Sequence, residues 1–203
     1  IHDLVPEFYL SKFGATRHGM IYQMLLFLER ISCRFADHVI VANHIWHGWL
    51  VKRSVDVEHC SVVLNYVVTA PGRNGHARRI QQRPFRIVYP GGFQWHQGLD
   101  IAIRAFGIAR DKMPGAEFHL YGEGSEKPVL QRLVHELDLA GSVFIHETVP
   151  FHDVLGLLAS ADLGVVPKRA DSFGNEAYST KILEYMSQGV PVLVSRTAID
   201  TFY

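Results

Sequence analysis

The chain of 203 residues is short of several things, and each shortage excludes a class. It has two cysteines, Cys33 and Cys60, and no C-x-x-C pair. A disulfide framework is excluded, a reducing compartment is expected, and both thiols read as small buried hydrophobes. The longest apolar run, "MLLFL" at 24–28, is too short to span a bilayer. No signal-peptide pattern opens the chain, so the expected location is cytoplasmic. Twenty basic residues balance twenty acidic ones, which leaves no bulk attraction for nucleic acid or an acidic membrane. The aromatic residues are scattered rather than interleaved with a basic stripe, so no nucleic-acid partner is expected. There is no G-x-G-x-x-G, no H-E-x-x-H and no G-x-S-x-G. His44 and His47 stand at i, i+3 without a Cys/His cluster, and no metal site is expected.

What is present is a globular composition, 48% hydrophobic and 20% charged. The front part alternates helix and strand signals. "HGMIYQMLLFLERISCRFA" (18–36) carries Ile21, Met24, Leu25, Leu28 and Ile31 at helical spacing. "HVIVAN" (38–43) and "CSVVLN" (60–65) read as short buried strands, with a helix, "HIWHGWLVKR", between them. The segment 66–84 mixes Gly, Pro, Asn and Arg and reads as a domain boundary. Its linker is placed at 76–84, after an N-terminal unit of 1–75 and before a C-terminal domain of 85–203.

From residue 85 the rhythm is regular. "FRIVYPGG", "EFHLYGEG", "SVFIHE", "DLGVVPK" and "PVLVS" are strands, and four amphipathic helices separate them. Ser125 is the expected N-cap of the second of these helices. The closing "AIDTFY" gives no helix signal. Short, continuous apolar strands alternating with helices predict an α/β fold, a Rossmann-like parallel sheet with helices on both faces. Ligands of such sheets bind outside the C-terminal strand ends. The residues there are Gly91 and Gly92, Gly122–Gly124, Glu147, and Lys168–Gly174.

Near the end runs "PKRADSFGNEAYSTKILEYM" (167–186). Lys168 and Arg169 follow a strand, and Ser179, Thr180 and Lys181 open the next helix. Unpaired N–H groups and a partial positive charge at a helix start suit a diphosphate, as does Lys181. Glu176 and Glu184 lie eight positions apart. Carboxylates accept from sugar hydroxyls, and one carboxylate can take a vicinal diol twice. The competing reading is that Glu176 serves the helix dipole and Glu184 pairs with Lys181 at i−3.

Taken in order, "GGFQWHQGLDIAIRAF", "FHLYGEGSEKPVLQRL", "ADLGVVP" and the E-x7-E segment before "GVPVLVS" resemble the group 1 (family 4) retaining glycosyltransferases. These carry two Rossmann-like domains across a cleft, the GT-B arrangement. The resemblance covers most of 85–203. "HDLVPEFY" and "FADHVIVANHIWHGWL" resemble the end of that family's acceptor domain, so the chain is expected to be a fragment truncated at both ends.

The resemblance implies roles. Glu184 would hold the donor ribose, Glu176 would face the transferred sugar, and backbone N–H groups of Ser179 and Thr180 would meet the diphosphate beside Gly91 and Gly92. Many members carry Arg and Lys where this chain has Gly92 and Gln97. "STK" matches a branch with a lysine before the second acidic position. Lys181 thereby becomes the leading diphosphate cation, with Lys168 and Arg169 as candidates. His2 matches the family's active-site histidine weakly.

The implied activity is retaining transfer of a sugar from a nucleotide diphosphate sugar to an acceptor hydroxyl, in surface polysaccharide or glycoconjugate synthesis. Catalytic candidates are Glu176, Lys181 and His2. No cofactor or metal is implied, and the acceptor would be a sugar, glycan or lipid-linked acceptor. A nucleotide-sugar epimerase of the same architecture and a non-catalytic nucleotide-sugar-binding module are the alternatives. The helix 18–36 is a candidate for peripheral contact with the inner membrane face, but its mixed polar face favours core packing.

Overall fold

The computed structural model describes residues 1–67, 83–171 and 173–203. Most of the expected linker, 76–82, lies outside the described residues. The chain divides into two units. One comprises Ile1–Tyr66, Ala170–Tyr178 and Arg196–Tyr203, and the other Val67–Arg169 and Ser179–Ser195.

The first unit holds α1 (Val5–Phe13), α2 (Met20–Phe35), α3 (His44–Arg53) and α8 (Ala198–Phe202), with β1 (Val39–Val41) parallel to β2 (Cys60–Val62). Asn43 caps α3, its side-chain oxygen accepting from the Trp46 N–H at 2.9 Å. Trp46, Leu50, Val39, Val41, Leu4, Cys33 and Cys60 make the core, so both cysteines are buried and free. Burial pushes both thiols up. The closing residues do form a short helix, contrary to expectation. Thr197 caps α8 through the Asp200 N–H, and Asn175 accepts from the Ile199 N–H at 3.0 Å.

An ion cluster ties the three longer helices together. Arg53 of α3 donates both terminal nitrogens to Glu7 of α1, at 2.6 and 2.9 Å. Its Nε and Nη2 reach Glu29 of α2 at 2.8 and 2.6 Å. A planar guanidinium can serve two carboxylates in this way, whereas an ammonium cannot present the same fork. Burial disfavours the charge, but the two carboxylates outweigh it and hold the Arg53 pKa above its ordinary value.

The stripe of α2 is not core, contrary to the sequence reading. Ile21, Met24, Leu28 and Ile31 are exposed, while Tyr22 and Cys33 are the buried residues of the helix. The reason is orientation: Glu29 is turned inward to Arg53, and of the stripe only Leu25 and Leu28 line an open cavity of about 580 Å³ beside it. No helix among the described residues is long and apolar enough to cross a membrane.

The second unit is the expected sheet. Its strands are β3 (Arg86–Pro90), β4 (Glu117–Tyr121), β5 (Val143–His146), β6 (Leu163–Val166) and β7 (Val192–Val194). All pairs are parallel, in the order β5-β4-β3-β6-β7. The helices are α4 (Leu99–Ala109), α5 (Lys127–Glu136), α6 (Phe151–Ala159) and α7 (Thr180–Ser187). Ile87, Tyr89, Ile103, Phe106, Phe118, Leu120 and Leu133 fill the core. Winding runs outward from β3 through β4 to β5, then crosses back to β6 and β7. The switch therefore falls between β3 and β6.

Ser125 does not cap α5. Glu126 and Lys127 give their N–H groups to the carbonyls of Phe93 and Gly124 instead, and Pro128 has none to cap.

Replacing Arg53 by Leu would leave two buried carboxylates unpaired. The expected cost is about 3–5 kcal/mol. Urea unfolding followed by tryptophan fluorescence checks it, since Trp46 and Trp49 both lie in this unit. An unchanged midpoint would show that the cluster stabilises nothing.

Candidate functional site

Past their C-terminal ends the central strands continue their ladder into glycine turns. The Gly91 N–H bonds the Tyr121 carbonyl at 2.9 Å, and the Gly122 N–H bonds that of His146 at 3.3 Å. Gly91 has φ +147° and Gly122 +154°, conformations that L side chains rarely adopt. A Cβ on Gly122 would sit on the Gly91 carbonyl oxygen. Two turns can lie this close only because neither carries a side chain.

Helix α7 is set over this edge by its own buried face. Tyr185 is fully buried and donates its hydroxyl to the Val88 carbonyl at 2.6 Å. Its ring lies where a Cβ of Gly164 would stand. Burial pushes the phenol pKa up, so it stays a donor. The first N–H groups of α7, at Thr180 and Lys181, have no helical acceptor and open at the strand ends.

Together these elements enclose a cavity of about 340 Å³. Gly91, Gly92, Thr180, Lys181 and Glu184 line it, as do Tyr121, Glu123, Thr148, Val149 and Phe151. Lys181 lies against Gly91: a Cβ there would be 2.5 Å from the lysine Cε and 3.0 Å from Nζ. Its Nζ also stands 5.4 Å from the centroid of the Tyr89 ring, a cation–π arrangement. Tyr89 is fully buried, and its hydroxyl meets the Gly92 carbonyl at 3.1 Å and the Gln97 side chain at 3.0 Å. Gln97 thus holds Tyr89, and Tyr89 holds both the glycine turn and the lysine. Among the described residues Lys181 has no ion pair within 4.0 Å, so the pairing with Glu184 read from spacing does not form. Burial lowers the Lys181 pKa, and the charge of Lys168 adds to that. Glu184 opposes both.

Other sequence candidates lie elsewhere. Arg169 is committed within its own unit: it pairs with both oxygens of Asp100 at 2.7 Å and covers the Trp95 ring at 4.5 Å. Lys168 is buried beside Lys181's field but does not line the cavity, and Ser179 is the N-cap residue just before it. His2 is exposed and Glu176 half-buried, both in the first unit. Trp49 donates its indole N–H to Glu176 Oε1 at 3.1 Å, and Asn43 donates to the Glu176 carbonyl at 3.1 Å. Glu176 Oε2 is buried, and burial raises the carboxyl pKa against the pull of the Trp49 and Trp46 indoles. The two glutamates of the motif therefore belong to different units. Tyr121, Thr148, Val149 and Phe151 were missed by motif reading. The available signal was position, since all follow or end strands at the ligand edge.

The family model described as Glycosyl transferases group 1 matches residues 84–202. The chain belongs to that family. It is 29% identical over 172 residues to a glycogen synthase of Mycobacterium tuberculosis, covering 75% of this chain and 40% of that protein. Over 115 residues it is 32% identical to the GDP-mannose-dependent alpha-(1-6)-phosphatidylinositol dimannoside mannosyltransferase of the same species, covering 57% and 28%. The chain thus spans less than half the length of these curated relatives. Among solved structures, WaaG, a glycosyltransferase involved in lipopolysaccharide biosynthesis, aligns over 99% of this chain and 56% of its own, with TM-score 0.73 and 16% identity. Anabaena HepE in complex with UDP-glucose aligns over 99% and 54%, with TM-score 0.73 and 18% identity. The α/β fold, a parallel sheet flanked by helices, is that of part of these GT-B glycosyltransferases.

Two outcomes follow from the packing of Lys181. In Gly91→Ala the strained φ and the displaced lysine are expected to cost about 1–3 kcal/mol. Gly141→Ala, with open space around its Cβ, serves as the neutral control in thermal unfolding. Equal melting temperatures would refute the close approach. The second outcome concerns pH. With its folded-state pKa depressed, Lys181 releases its proton before the unfolded chain does. Between those two values the unfolded state binds more protons, so stability rises with pH and levels off near the ordinary lysine value. Lys181→Met is expected to remove that alkaline rise. Parallel urea midpoints against pH in both proteins would sink the assignment.

Proposed function

We propose that the protein transfers a sugar from a nucleoside diphosphate sugar to an acceptor hydroxyl with retention of anomeric configuration. The observation that carries this reading is the cavity at the C-terminal strand edge, where Lys181, Glu184 and the α7 N-terminus converge on the Gly91–Gly92 turn. Family membership supports it, as do a relative named for GDP-mannose dependence and a neighbour solved with UDP-glucose.

In this reading the Glu184 carboxylate accepts from both ribose hydroxyls. The free N–H groups of Thr180 and Lys181 take the diphosphate oxygens, and the glycine turn lets them approach. Charge grows on the leaving diphosphate as the glycosidic bond breaks. The Lys181 ammonium, already fixed against Gly91 and Tyr89, meets that charge without reorganising. These groups neutralise the diphosphate without a metal ion. Departure and attack on the same face, through an oxocarbenium-like state, give retention. Glu176 and His2 remain the other proposed catalytic residues. The proposed acceptor is a sugar, glycan or lipid-linked sugar, and the proposed setting is the cytoplasm.

Calorimetry with UDP, GDP and ADP tests the donor site. At least one should bind. Lys181→Met and Glu184→Gln should each weaken it about tenfold to a hundredfold, the loss of a charge-assisted hydrogen bond. Absence of binding to all three would overturn the reading. Incubation with nucleotide sugars should then release free nucleotide with a new glycoside, and an isomerised sugar nucleotide would mean epimerisation instead.

A further inference from the structure

The stretch "HIWHGWL" (44–50) puts Trp46 and Trp49 at i, i+3, on one face of α3. That face is fixed on several sides. Asn43 holds the helix start through the Trp46 backbone N–H, and the buried Trp46 ring lies 6.1 Å from the ring of Phe173. Phe8 of α1 meets the same Phe173 edge-on at 5.2 Å. Trp49 has the Arg17 guanidinium 5.8 Å and the Lys52 ammonium 5.9 Å from its ring centroid, both in cation–π positions.

Both indoles act on one carboxyl group. Trp49 donates to Glu176 Oε1 at 3.1 Å, and the Trp46 indole N–H bears on the same carboxyl. The backbone that carries Glu176 is anchored from both ends. Its N–H bonds the Phe173 carbonyl at 3.0 Å, and its carbonyl accepts from the Asn43 amide at 3.1 Å. Just ahead, Asp171 accepts from the N–H groups of Phe173 and Gly174 at 3.1 and 2.5 Å. All these residues belong to the first unit. With its main chain held, Glu176 keeps only side-chain torsions, and the Trp49 bond selects among them.

The groups that face Glu176 oppose one another. Burial pushes its carboxyl up and the Trp49 bond pulls it down. The charge of Glu7, on α1, adds to the rise, while Trp46 and Arg17 offset part of it. Glu7 is itself bound to Arg53 at 2.6 and 2.9 Å. An indole N–H is a donor that carries no charge and does not titrate. It orients a carboxylate without neutralising it, which a lysine or arginine in its place would do.

We propose that Trp49 is a positioning residue, its indole N–H holding the Glu176 carboxylate in the orientation that sugar transfer uses. This rests on the reading of Glu176 as a catalytic residue of the proposed reaction. The competing role for Trp49 is to fill space. Trp49→Phe separates the two, because it keeps an aromatic ring beside Arg17 and Lys52 and deletes the N–H. If Trp49 positions, its whole effect on rate passes through Glu176.

NMR of the side-chain carboxyls reads the Glu176 titration in the whole chain and without substrate. The expected midpoint lies above that of an ordinary glutamate and moves higher in Trp49→Phe. In the wild type the Trp49 indole N–H resonance should follow the same midpoint. Equal Glu176 midpoints in the two proteins, or an indole resonance that ignores the titration, overturn the proposal. In sugar transfer Trp49→Phe should lower kcat about tenfold, the loss of one hydrogen bond to a charged group. The limb of the pH–rate profile set by Glu176 should shift to higher pH. Affinity for UDP, GDP and ADP should stay unchanged, since neither residue lines the α7 cavity. Adding Trp49→Phe to Glu176→Gln should cost nothing further, because the two act as one. A full additional loss in the double variant overturns the proposal by showing that the ring matters on its own. A wild type that transfers no sugar overturns the proposed function and this role with it, whereas the NMR outcomes fall on Trp49 alone.

Discussion

The second unit depends on one constraint, the reversal of winding at β3. Strands β4 and β5 lie on one side of it, β6 and β7 on the other. A parallel ladder puts every C-terminal strand end on the same edge. The reversal sends the connections after β3 and β6 to opposite faces, and a crevice opens between them. What fills that crevice is decided locally. The glycines after β3 and β4 let two backbone turns touch, and Tyr185 fixes where α7 begins. The helix start, the turn and the lysine meet because all three are referred to the same strand.

Lys181 then shows how a charge can be held ready without an ion pair. A carboxylate in contact would neutralise it and compete with an anionic ligand. Here its neighbours are the Gly91 turn, where a Cβ would meet it, and the face of Tyr89, with Glu184 acting only from further away. The cost is visible in the lowered pKa. In the proposed reading, a bound diphosphate would relieve that cost. Gln97 belongs to this arrangement indirectly, through the Tyr89 hydroxyl.

Much of this was legible in the sequence. Five strand signals in an alternating βα rhythm gave the sheet, because parallel strands buried on both faces must be continuous and apolar. That Gly91, Gly92, Thr180, Lys181 and Glu184 share one cavity was legible because strand ends and a helix start lie on the same sheet edge. Arg169 misled, since a cation after a strand looks the same in sequence whether it meets a ligand or Asp100. The stripe of α2 misled for a related reason. Periodicity shows that residues share a face, and only the inward turn of Glu29 shows which face the fold uses. Tyr121 was hidden because a strand-end tyrosine carries no motif. Its ring is set by register with His146, a relation between strands 25 residues apart.

The E-x7-E segment read as one device, yet its two carboxylates are held by different parts of the chain. Asn43 and Trp49 fix Glu176 in the first unit, and α7 carries Glu184 in the second. Their environments differ accordingly. Glu184 faces an open cavity with a cation as its neighbour along the helix. Glu176 has one oxygen bonded to the Trp49 indole and the other buried. Burial of that kind favours the protonated carboxyl, while the indole bond favours the carboxylate. Two glutamates of identical chemistry thereby stand in different surroundings, one lining the cavity and one held by an indole in the other unit. Spacing could not separate them, because the difference lies in Asn43 and Trp49, more than a hundred residues away.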